Sequence, residues 1–236
     1  MMRKSVIYFI GLFVVIAGMS CQQNGGVSDV KLETAADSAG FAIGFLVGNN
    51  NKEQVGQAPG GEDINLDAMV AGFAKAALGE ETEFTPEDAD RIVREYFTSA
   101  GEQQGQSNLE EGNAFLEENK ERPEVKVTES GMQYEVLQEG DGTVPEEDDR
   151  VRVHYHGTLI DGTVFDSSVD RGEPAVFGVT QVIPGWTEAL QLMPVGSKWK
   201  IYLPSELAYG ERGAGGDIGP NETLIFEVEL LEIVEE

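Results

Sequence analysis

The distribution of proline constrains the fold of this chain more than any other feature of its sequence. Seven of the nine prolines lie at or after Pro123, as do both tryptophans and both histidines. Before Pro123 the chain is rich in Ala, Glu, Gly and Gln with apolar residues at helical spacing. After it, apolar and polar residues alternate between Gly and Pro. We therefore predict a helical domain over residues 31–122 and a β-rich domain over residues 123–236.

Three segments of the first domain have the pattern of helices. Residues 32–47 and 66–78 place apolar residues about 3.6 positions apart, and Asn65 is the expected N-cap of the second segment. A polar, Gly-rich loop is predicted between them, over residues 50–64. The third helix starts with Thr-Pro-Glu-Asp at 85–88, which supplies a capping hydroxyl, a proline in the first turn and acids at the positive end.

The third helix can run for about 35 residues, or on the order of 50 Å, because no proline follows until Pro123. Its middle, residues 101–113, is almost all polar and includes Gly101, Gly105 and Gly112. A segment that is polar on all sides is either a solvent-exposed bridge or not a stable helix. Each glycine costs a helix about 1 kcal/mol, so two alternatives stay open: a continuous stalk helix, or two short helices joined by a disordered linker.

The two shorter helices are too small to bury a core of their own. They have few large apolar residues, so their apolar faces need another surface to cover them. A second copy of the chain supplies that surface most economically, because the same helices can pack on one another around a two-fold axis. The sequence thus predicts a homodimer joined through its N-terminal helices.

The N-terminus has the organisation of an export signal. Arg3 and Lys4 precede an uncharged apolar run over residues 6–17, which small residues follow. This run is shorter than the roughly 20 residues that a membrane-spanning helix needs. We predict a signal peptide over residues 1–20 and an exported protein.

The single cysteine, Cys21, stands where a bacterial lipoprotein is acylated, although Gly18 occupies a position that is usually aliphatic. We predict lipidation of Cys21, a flexible tether over residues 21–30, and a membrane-anchored protein that faces the periplasm. The alternatives are exposure at the cell surface, and a plain signal peptide followed by an unmodified cysteine.

The charge balance excludes several classes of partner. The chain has 43 acidic and 16 basic residues, for a formal net charge of −27. Phosphate backbones and anionic lipid surfaces would repel such a chain, so we predict no nucleic-acid partner and no membrane binding through a basic face. One cysteine and two histidines cannot build a disulfide framework or a zinc cluster, so we predict neither metal nor cofactor.

The second domain has the pattern of an antiparallel sheet. Alternating residues predict strands over residues 131–137, 151–157, 197–203 and 224–234. Asp161-Gly162 is a tight turn between strand-like runs, and one short helix is expected from near Trp186 to Leu192. The fold class is therefore α+β, with one short helix packed across the sheet.

Conventional catalytic motifs are absent from the sequence: it has no Ser-His-Asp set, no Walker loop and no zinc motif. The glycine-rich segment 210–216 lacks the Lys-Ser/Thr ending of a phosphate-binding loop, so we interpret it as an ordinary loop. His154 and His156 share one strand face without further ligands, and we interpret them as solvated. Aromatic residues along the strands are typical of a core, but Asp166 and Arg171 among them favour a pocket with polar groups.

Three runs resemble the FKBP-type peptidyl-prolyl isomerases: VRVHYHGTLIDGTVFDSS, VIPGWTEALQLMPVGSKWKIYLPSELAYG and ETLIFEVELLEI. The helical leader, with INLDAMVAGFAKAALG and the junction NAFLEENKERPEVKVTESGMQYEVLQEG, is similar to the periplasmic Mip-like and FkpA-like branch. The resemblance implies an FKBP-like domain over about 125–236. It also implies dimers in which long helices separate two catalytic domains.

The resemblance implies an aromatic substrate pocket with Trp186 as its floor. Its walls would be Tyr155, Phe165, Phe177, Val182, Ile183 and Phe226. We expect Tyr155, Phe165 and Phe226 to act with Asp166 and Tyr209 as the catalytic set.

The polar roles also follow from the resemblance. The Tyr209 hydroxyl and the backbone N–H of Ile183 would bind substrate carbonyls, and Asp166, paired with Arg171, would face the twisted amide. Ile218 would lie on a loop that closes over the proline. Three departures from the family pattern, Ala175, Ala214 and Asp217, leave macrolide affinity and substrate preference open.

The function that the resemblance implies is cis-trans isomerisation of X–Pro bonds in proline-containing polypeptides that fold after export. The aromatic pocket would stabilise the twisted amide. The main alternative is a dimeric holdase chaperone with a weak or incidental pocket. A third is a surface interaction module, which a complete pocket set argues against.

Overall fold

A computed structural model describes residues 30–234. The predicted signal peptide, Cys21 and nearly all of the tether lie outside the described residues. The chain divides into a short unit that ends at Phe41 and a larger unit that starts at Ala42. The α+β prediction is confirmed: helices come first, and an antiparallel sheet with a short helix follows. None of the helices within residues 30–234 is long and apolar enough to cross a membrane.

Three helices form the first part of the described chain. They are α1 (Ala35–Gly56), α2 (Leu66–Leu78) and α3 (Pro86–Asn119), with one short 3₁₀ turn at Gly61–Asp63. The predicted starts of α2 and α3 are confirmed by their caps. The Asn65 side chain accepts from the Ala68 N–H at 3.0 Å, and Thr85 forms a reciprocal capping box with Asp88.

The predicted loop over residues 50–64 is wrong in its first half, because α1 continues to Gly56. Residues 50–54 are polar and residues 50–56 contain no proline, and polar residues can continue a helix that faces solvent. The Asn51 side-chain amide also donates to the Val47 carbonyl at 2.8 Å, within the helix. The polar composition of this segment therefore does not end the helix.

The second part of the chain is a seven-stranded antiparallel sheet. Its strands are β1 (Lys126–Val127), β2 (Gln133–Gln138), β3 (Arg150–Leu159), β4 (Val164–Ser167), β5 (Ala175–Gly178), β6 (Lys198–Leu203) and β7 (Leu224–Val234). Their order is β1-β2-β6-β7-β3-β4, and β5 pairs with the first half of β3. Two short helices accompany the sheet: α4 (Ser168–Arg171) and α5 (Pro184–Leu190).

The core lies between one face of the sheet and α5. Along β3, Val151, Val153 and Tyr155 are buried while the residues between them point to the other face. Trp186 on α5 is packed into the same cluster. Helix α5 begins and ends two residues before the predicted bounds. It starts at Pro184 because the fixed φ of proline suits the first helical position.

The predicted stalk is one continuous helix of 34 residues, not two short helices joined by a linker. The prediction of a fully solvent-exposed bridge is wrong, because Gly105 and Gly112 are buried. A Cβ at Gly105 would lie 3.1 Å from Pro220, and one at Gly112 would lie 2.3 Å from the Thr223 hydroxyl oxygen. These glycines therefore let the segment before β7 pack directly against the helix.

Side-chain hydrogen bonds attach the end of α3 to the sheet. The Asn119 amide donates to the Gln133 side-chain oxygen at 2.8 Å, and the Gln133 amide donates to the Leu116 carbonyl at 2.8 Å. Arg122 donates to the Tyr202 hydroxyl at 3.0 Å and to Glu135 at 2.9 Å. Because Asn119 and Gln133 are both buried, these bonds satisfy polar groups that burial would otherwise penalise.

Two matched substitutions test this packing. Gly101→Ala adds a Cβ that meets only Pro59 at 3.9 Å, so it should stabilise the helix by up to about 1 kcal/mol. Gly112→Ala forces Cβ against Thr223 and should instead destabilise the protein by about 1–3 kcal/mol. The measurement is the thermal unfolding midpoint followed by far-ultraviolet circular dichroism. Equal upward shifts for both variants would show that α3 does not pack on this segment.

Candidate active site

A cavity of about 590 Å³ opens on the buried face of the sheet beside α5. Ten of the eleven predicted site residues line it: Tyr155, Phe165, Asp166, Phe177, Val182, Ile183, Trp186, Tyr209, Ile218 and Phe226. The eleventh, Arg171, lies behind this lining and contacts Asp166. Elements far apart in the sequence therefore bring the predicted residues together at one place.

Trp186 forms the floor of the cavity and is 4% exposed. Three rings meet its indole at nearly right angles: Tyr155 at a centroid distance of 5.4 Å, Phe177 at 5.8 Å and Phe226 at 5.3 Å. Phe165 continues the wall with an edge contact to Phe226 at 5.4 Å. Edge-to-face packing of this kind holds aromatic side chains in defined positions, so the cavity is preformed.

The close approach of Phe165 and Phe226 depends on a glycine in β3. A Cβ on Gly157 would lie 2.7 Å from the Phe165 ring and 2.9 Å from the Phe226 ring. Any side chain at this position would therefore displace one of the two rings. Gly157 was not among the residues predicted from the sequence, where its only local signal is a glycine inside a strand pattern.

Asp166, Tyr155 and Arg171 form one hydrogen-bonded group at the polar side of the cavity. The Tyr155 hydroxyl donates to Asp166 at 2.5 Å, and the Arg171 guanidinium donates to Asp166 and, at 2.9 Å, to the Tyr155 oxygen. The guanidinium carbon also lies 5.5 Å from the Tyr155 ring centroid. The pairing of Asp166 with Arg171, which the resemblance implied, is present in the structure.

The electrostatics of this group keep Asp166 ionised. Partial burial by itself raises the pKa of the carboxyl, but hydrogen bonds from Tyr155 and Arg171 outweigh it and leave the pKa below its ordinary value. Burial, and then the hydrogen bond to Asp166, raises the pKa of the Tyr155 hydroxyl. At neutral pH the cavity therefore contains a carboxylate and a protonated phenol.

Two further donors face the cavity without a partner in the described part of the chain. The Ile183 N–H takes no part in the hydrogen bonds found within residues 30–234. The Tyr209 side chain is 41% exposed at the rim, and its hydroxyl makes no hydrogen bond there either. Both groups are free to bind carbonyl oxygens of a ligand.

The segment 210–218 covers part of the cavity. Ala214 and Ile218 form an isolated antiparallel bridge, and Ala214, Gly215 and Asp217 add to the lining. Gln181 also lines the cavity, although the sequence analysis missed it. Its only sequence signal was its place immediately before Val182 and Ile183.

The two histidines lie on the opposite face of β3 and are more constrained than the prediction of solvated side chains implied. Nδ1 of His154 is 3.0 Å from the Ser168 hydroxyl oxygen, and Nδ1 of His156 is 3.0 Å from that of Ser167. Nowhere in residues 30–234 do three or more His, Cys, Asp or Glu side chains form a group that could hold a metal ion.

The lining residues determine what this cavity can do chemically. Its floor and walls are aromatic or aliphatic, with two carboxylates, Asp166 and Asp217, and several donors at the edge. Serine, cysteine and lysine, the usual nucleophiles, do not occur among the lining residues of the described chain. The cavity therefore suits an uncharged ring held between hydrogen-bonded carbonyls, and it acts through its environment rather than through covalent chemistry.

Comparison with protein families identifies two matching profiles. The profile described as "FKBP-type peptidyl-prolyl cis-trans isomerase" matches residues 142–231, which include most of the cavity. The profile described as "Domain amino terminal to FKBP-type peptidyl-prolyl isomerase" matches residues 36–136. The two profiles together cover both the helices and the sheet.

Individual relatives agree with these profiles over most of their length. The FKBP-type 22 kDa peptidyl-prolyl cis-trans isomerase of Escherichia coli (strain K12) is 50% identical over 205 residues, covering 86% of this chain and 97% of the relative. The Outer membrane protein MIP of Legionella longbeachae is 43% identical over 210 residues, covering 86% and 88%. The crystal structure of FkpA from Escherichia coli superposes with a TM-score of 0.60 and 32% identity, covering 86% of this chain and 98% of that one.

Proposed function

The chain belongs to the family of FKBP-type peptidyl-prolyl cis-trans isomerases, and we propose that the cavity above Trp186 is the place where it rotates the X–Pro bond. The protein is a peptidyl-prolyl cis-trans isomerase. The observation that supports this assignment of the site is the set of three edge-to-face aromatic contacts around Trp186, with two free donors and one paired carboxylate at the edge of the cavity.

The reaction needs an environment rather than a nucleophile. Rotation about a peptide bond faces a barrier of about 18–20 kcal/mol, because the amide loses resonance when it is twisted. In the twisted state the nitrogen becomes pyramidal and the carbonyl is less polar, so water solvates the amide less well. A dry aromatic cavity therefore favours the twisted state over the planar one, which is differential binding of the transition state.

The polar groups confine the rotation to one bond. The Ile183 N–H and the Tyr209 hydroxyl bind carbonyls on either side of the proline, so that the flanking chain cannot turn with it. Asp166 acts electrostatically on the twisted amide, and its proton does not move. Arg171 is a positioning residue, because it holds Asp166 and the Tyr155 hydroxyl in place. Phe165, Phe177, Val182 and Phe226 enclose the proline ring.

The pKa of Asp166 sets the expected pH dependence. Because its folded pKa is below the ordinary value of about 3.9, the carboxylate is present throughout the neutral range and is lost only as pH falls through that lowered pKa. The stability that its hydrogen bonds contribute is likewise fully present above the unfolded pKa and is lost as pH falls from there through the lowered folded pKa. Isomerase activity should therefore be constant between about pH 5 and pH 8.

The test of the site uses the exported chain with the substitution Cys21→Ser, which removes the predicted site of lipid attachment. Catalysis of cis-trans exchange in a short Phe-Pro or Leu-Pro peptide should fall by about tenfold or more in Trp186→Ala and Asp166→Asn, a loss of roughly 1.4 kcal/mol or more in transition-state binding. Asp170→Asn is the matched control, because this acid lies four residues on with a side chain that is 67% exposed. Wild-type rates in both site variants would place catalysis elsewhere.

The N-terminal helices provide the surface for a dimer. Within the described chain, no residue of α1 or α2 is buried. Large apolar side chains there are instead exposed: Ile43, Phe45, Leu46, Val70, Phe73 and Leu78. Exposure on this scale is unfavourable for a monomer, so we infer that a second copy covers these faces. In this arrangement residues 31–122 are the dimerisation domain and stalk, and residues 123–236 are the isomerase domain.

Sedimentation equilibrium tests the dimer. The wild-type chain should sediment at twice its monomer mass, and Phe73→Glu should sediment as a monomer, because it places a charge in the apolar interface. Leu137→Glu changes an exposed apolar residue of the sheet and should leave the dimer intact. A wild type that sediments as a monomer would contradict the dimer, and with it the alternative of a dimeric holdase.

The site of action is proposed from the sequence and from one relative. We infer that residues 1–20 direct export and that Cys21 is lipidated, which would leave the enzyme on a membrane facing the periplasm. The name of the Legionella relative, Outer membrane protein MIP, agrees with a membrane location. The clients would be exported chains, whose uncatalysed prolyl steps take roughly 10–100 s.

Metabolic labelling with a fatty acid tests the anchor. The wild-type protein should incorporate label and fractionate with membranes, because an acyl chain partitions into the bilayer. Cys21→Ser should incorporate none. Ser20→Ala, which keeps a small residue before the cysteine, is the control and should behave as the wild type. An unlabelled wild type would contradict the lipoprotein assignment.

A further inference from the structure

One loop of the isomerase domain contacts both the cavity and the stalk helix. We refer to residues 210–223 as the pocket loop. Its tip lines the cavity through Ala214, Gly215, Asp217 and Ile218. Its base, residues 219–223, packs against the middle of α3. The helix therefore contacts the same segment that covers the substrate.

Two reciprocal hydrogen bonds hold the base of the loop to α3. The Asn108 side-chain amide donates to the Pro220 carbonyl at 2.8 Å, and the Asn221 side-chain amide donates to the Gly105 carbonyl at 3.2 Å. Both are partly buried. Carbonyls inside a helix normally accept hydrogen bonds from N–H groups of the same helix. The bond from Asn221 to the Gly105 carbonyl is therefore an additional bond, and its donor belongs to the loop.

The backbone at Asn221 is held in an uncommon conformation. Its φ is +55°, the one positive value among non-glycine residues 30–234, and asparagine tolerates this region better than most residues. Its N–H donates to the Gly210 carbonyl at 2.9 Å, which joins the two ends of the pocket loop. The residue that binds the helix thus also closes the loop.

Short contacts inside the loop connect its base to its tip. The Ala214 N–H donates to the Ile218 carbonyl at 2.9 Å, and the Ile218 N–H donates back at 3.2 Å. A Cβ at Gly213 would lie 2.2 Å from the Ile218 oxygen, so these strands of the loop are in direct contact. Ile218 is 8% exposed and is only two residues from Pro220. The same Cβ position at Gly213 is 2.8 Å from the Gly219 carbonyl, so the base of the loop packs against the segment that holds Ile218.

An electrostatic repulsion acts against this attachment. Burial, and then the charges of Asp161 and Glu111, raises the pKa of Glu222 at the base of the loop. Glu111 belongs to α3, so two like charges face each other across the contact. The hydrogen bonds of Asn108 and Asn221 lie at this same contact between the loop and the helix.

We propose that Asn108 of the stalk helix and Asn221 of the pocket loop form a latch that fixes Ile218 over the bound proline. The helix would then be part of the substrate-binding device, although Asn108 lies outside the residues 142–231 that the isomerase profile matches. Both asparagines are positioning residues, since neither lines the cavity. The inference rests on the proposed function of that cavity.

The test compares single substitutions in the full exported chain. Asn108→Ala removes one bond, and Asn221→Gly removes the other while it keeps the positive φ available. Each should raise KM for a Phe-Pro peptide by about three- to tenfold and leave kcat unchanged, because the loop positions the substrate without touching the reacting amide. Asn108→Asp preserves the shape but cannot donate, so it should match Asn108→Ala.

Hydrogen exchange distinguishes a released loop from a general loss of stability, because a general loss would not affect the amides of the loop alone. Amides of residues 210–223 should exchange faster in the latch variants, while those of β3 and β7 stay protected. Gln106→Ala is the control, because that side chain bonds Glu110 on an exposed face of α3 at 2.6 Å. It should show wild-type KM and exchange.

The outcomes separate the latch from the catalytic site. Wild-type KM and wild-type loop exchange in Asn108→Ala and Asn221→Gly would overturn the latch, and so would a loss of kcat at constant KM. Trp186→Ala is assayed in parallel. If it is impaired while the latch variants are not, only the latch fails. If it retains full activity, the proposed site itself fails.

Discussion

The edge-to-face packing of Trp186 is the interaction on which the rest of this structure depends. Its three ring partners come from β3, β5 and β7, so one side chain on a single short helix joins three strands. Each such pair contributes about 0.5–1.5 kcal/mol beyond the area that it buries. Because the floor and walls of the cavity also belong to the hydrophobic core, they are rigid before any substrate arrives. Stability and preorganisation of the site have the same physical source.

Glycine has an equally specific use in this molecule, as a place where two surfaces meet without a side chain between them. Gly157 allows Phe165 and Phe226 to close over β3, and Gly105 and Gly112 allow the base of the pocket loop to lie on α3. The helix tolerates the loss of propensity at these positions because it gains tertiary contacts there. The polar stalk is thus attached to the isomerase domain over several turns.

The polar group of the site shows how little chemistry this reaction requires. Asp166 is held by Tyr155 and Arg171, so its charge stays fixed in a half-buried position. No bond to the substrate is made or broken, and the rate depends on which amide geometry the cavity solvates better. The residues that hold Ile218 act differently, because they position the substrate in the cavity without touching the reacting amide.

The sequence by itself determined the elements whose signals are local. The sequence alone predicted the caps at Asn65 and Thr85, the residues of α2, and the alternation in β3 and β7. The resemblance named ten of the cavity residues, and the structure brings them together. Tertiary structure alone decided the pairing of the short strand β5 and the burial of a stalk whose sequence is typical of a solvent-exposed helix. The physical reason is that burial depends on partners distant along the chain: Gly105 meets Asn221 and Gly157 meets Phe226 only after the sheet has formed.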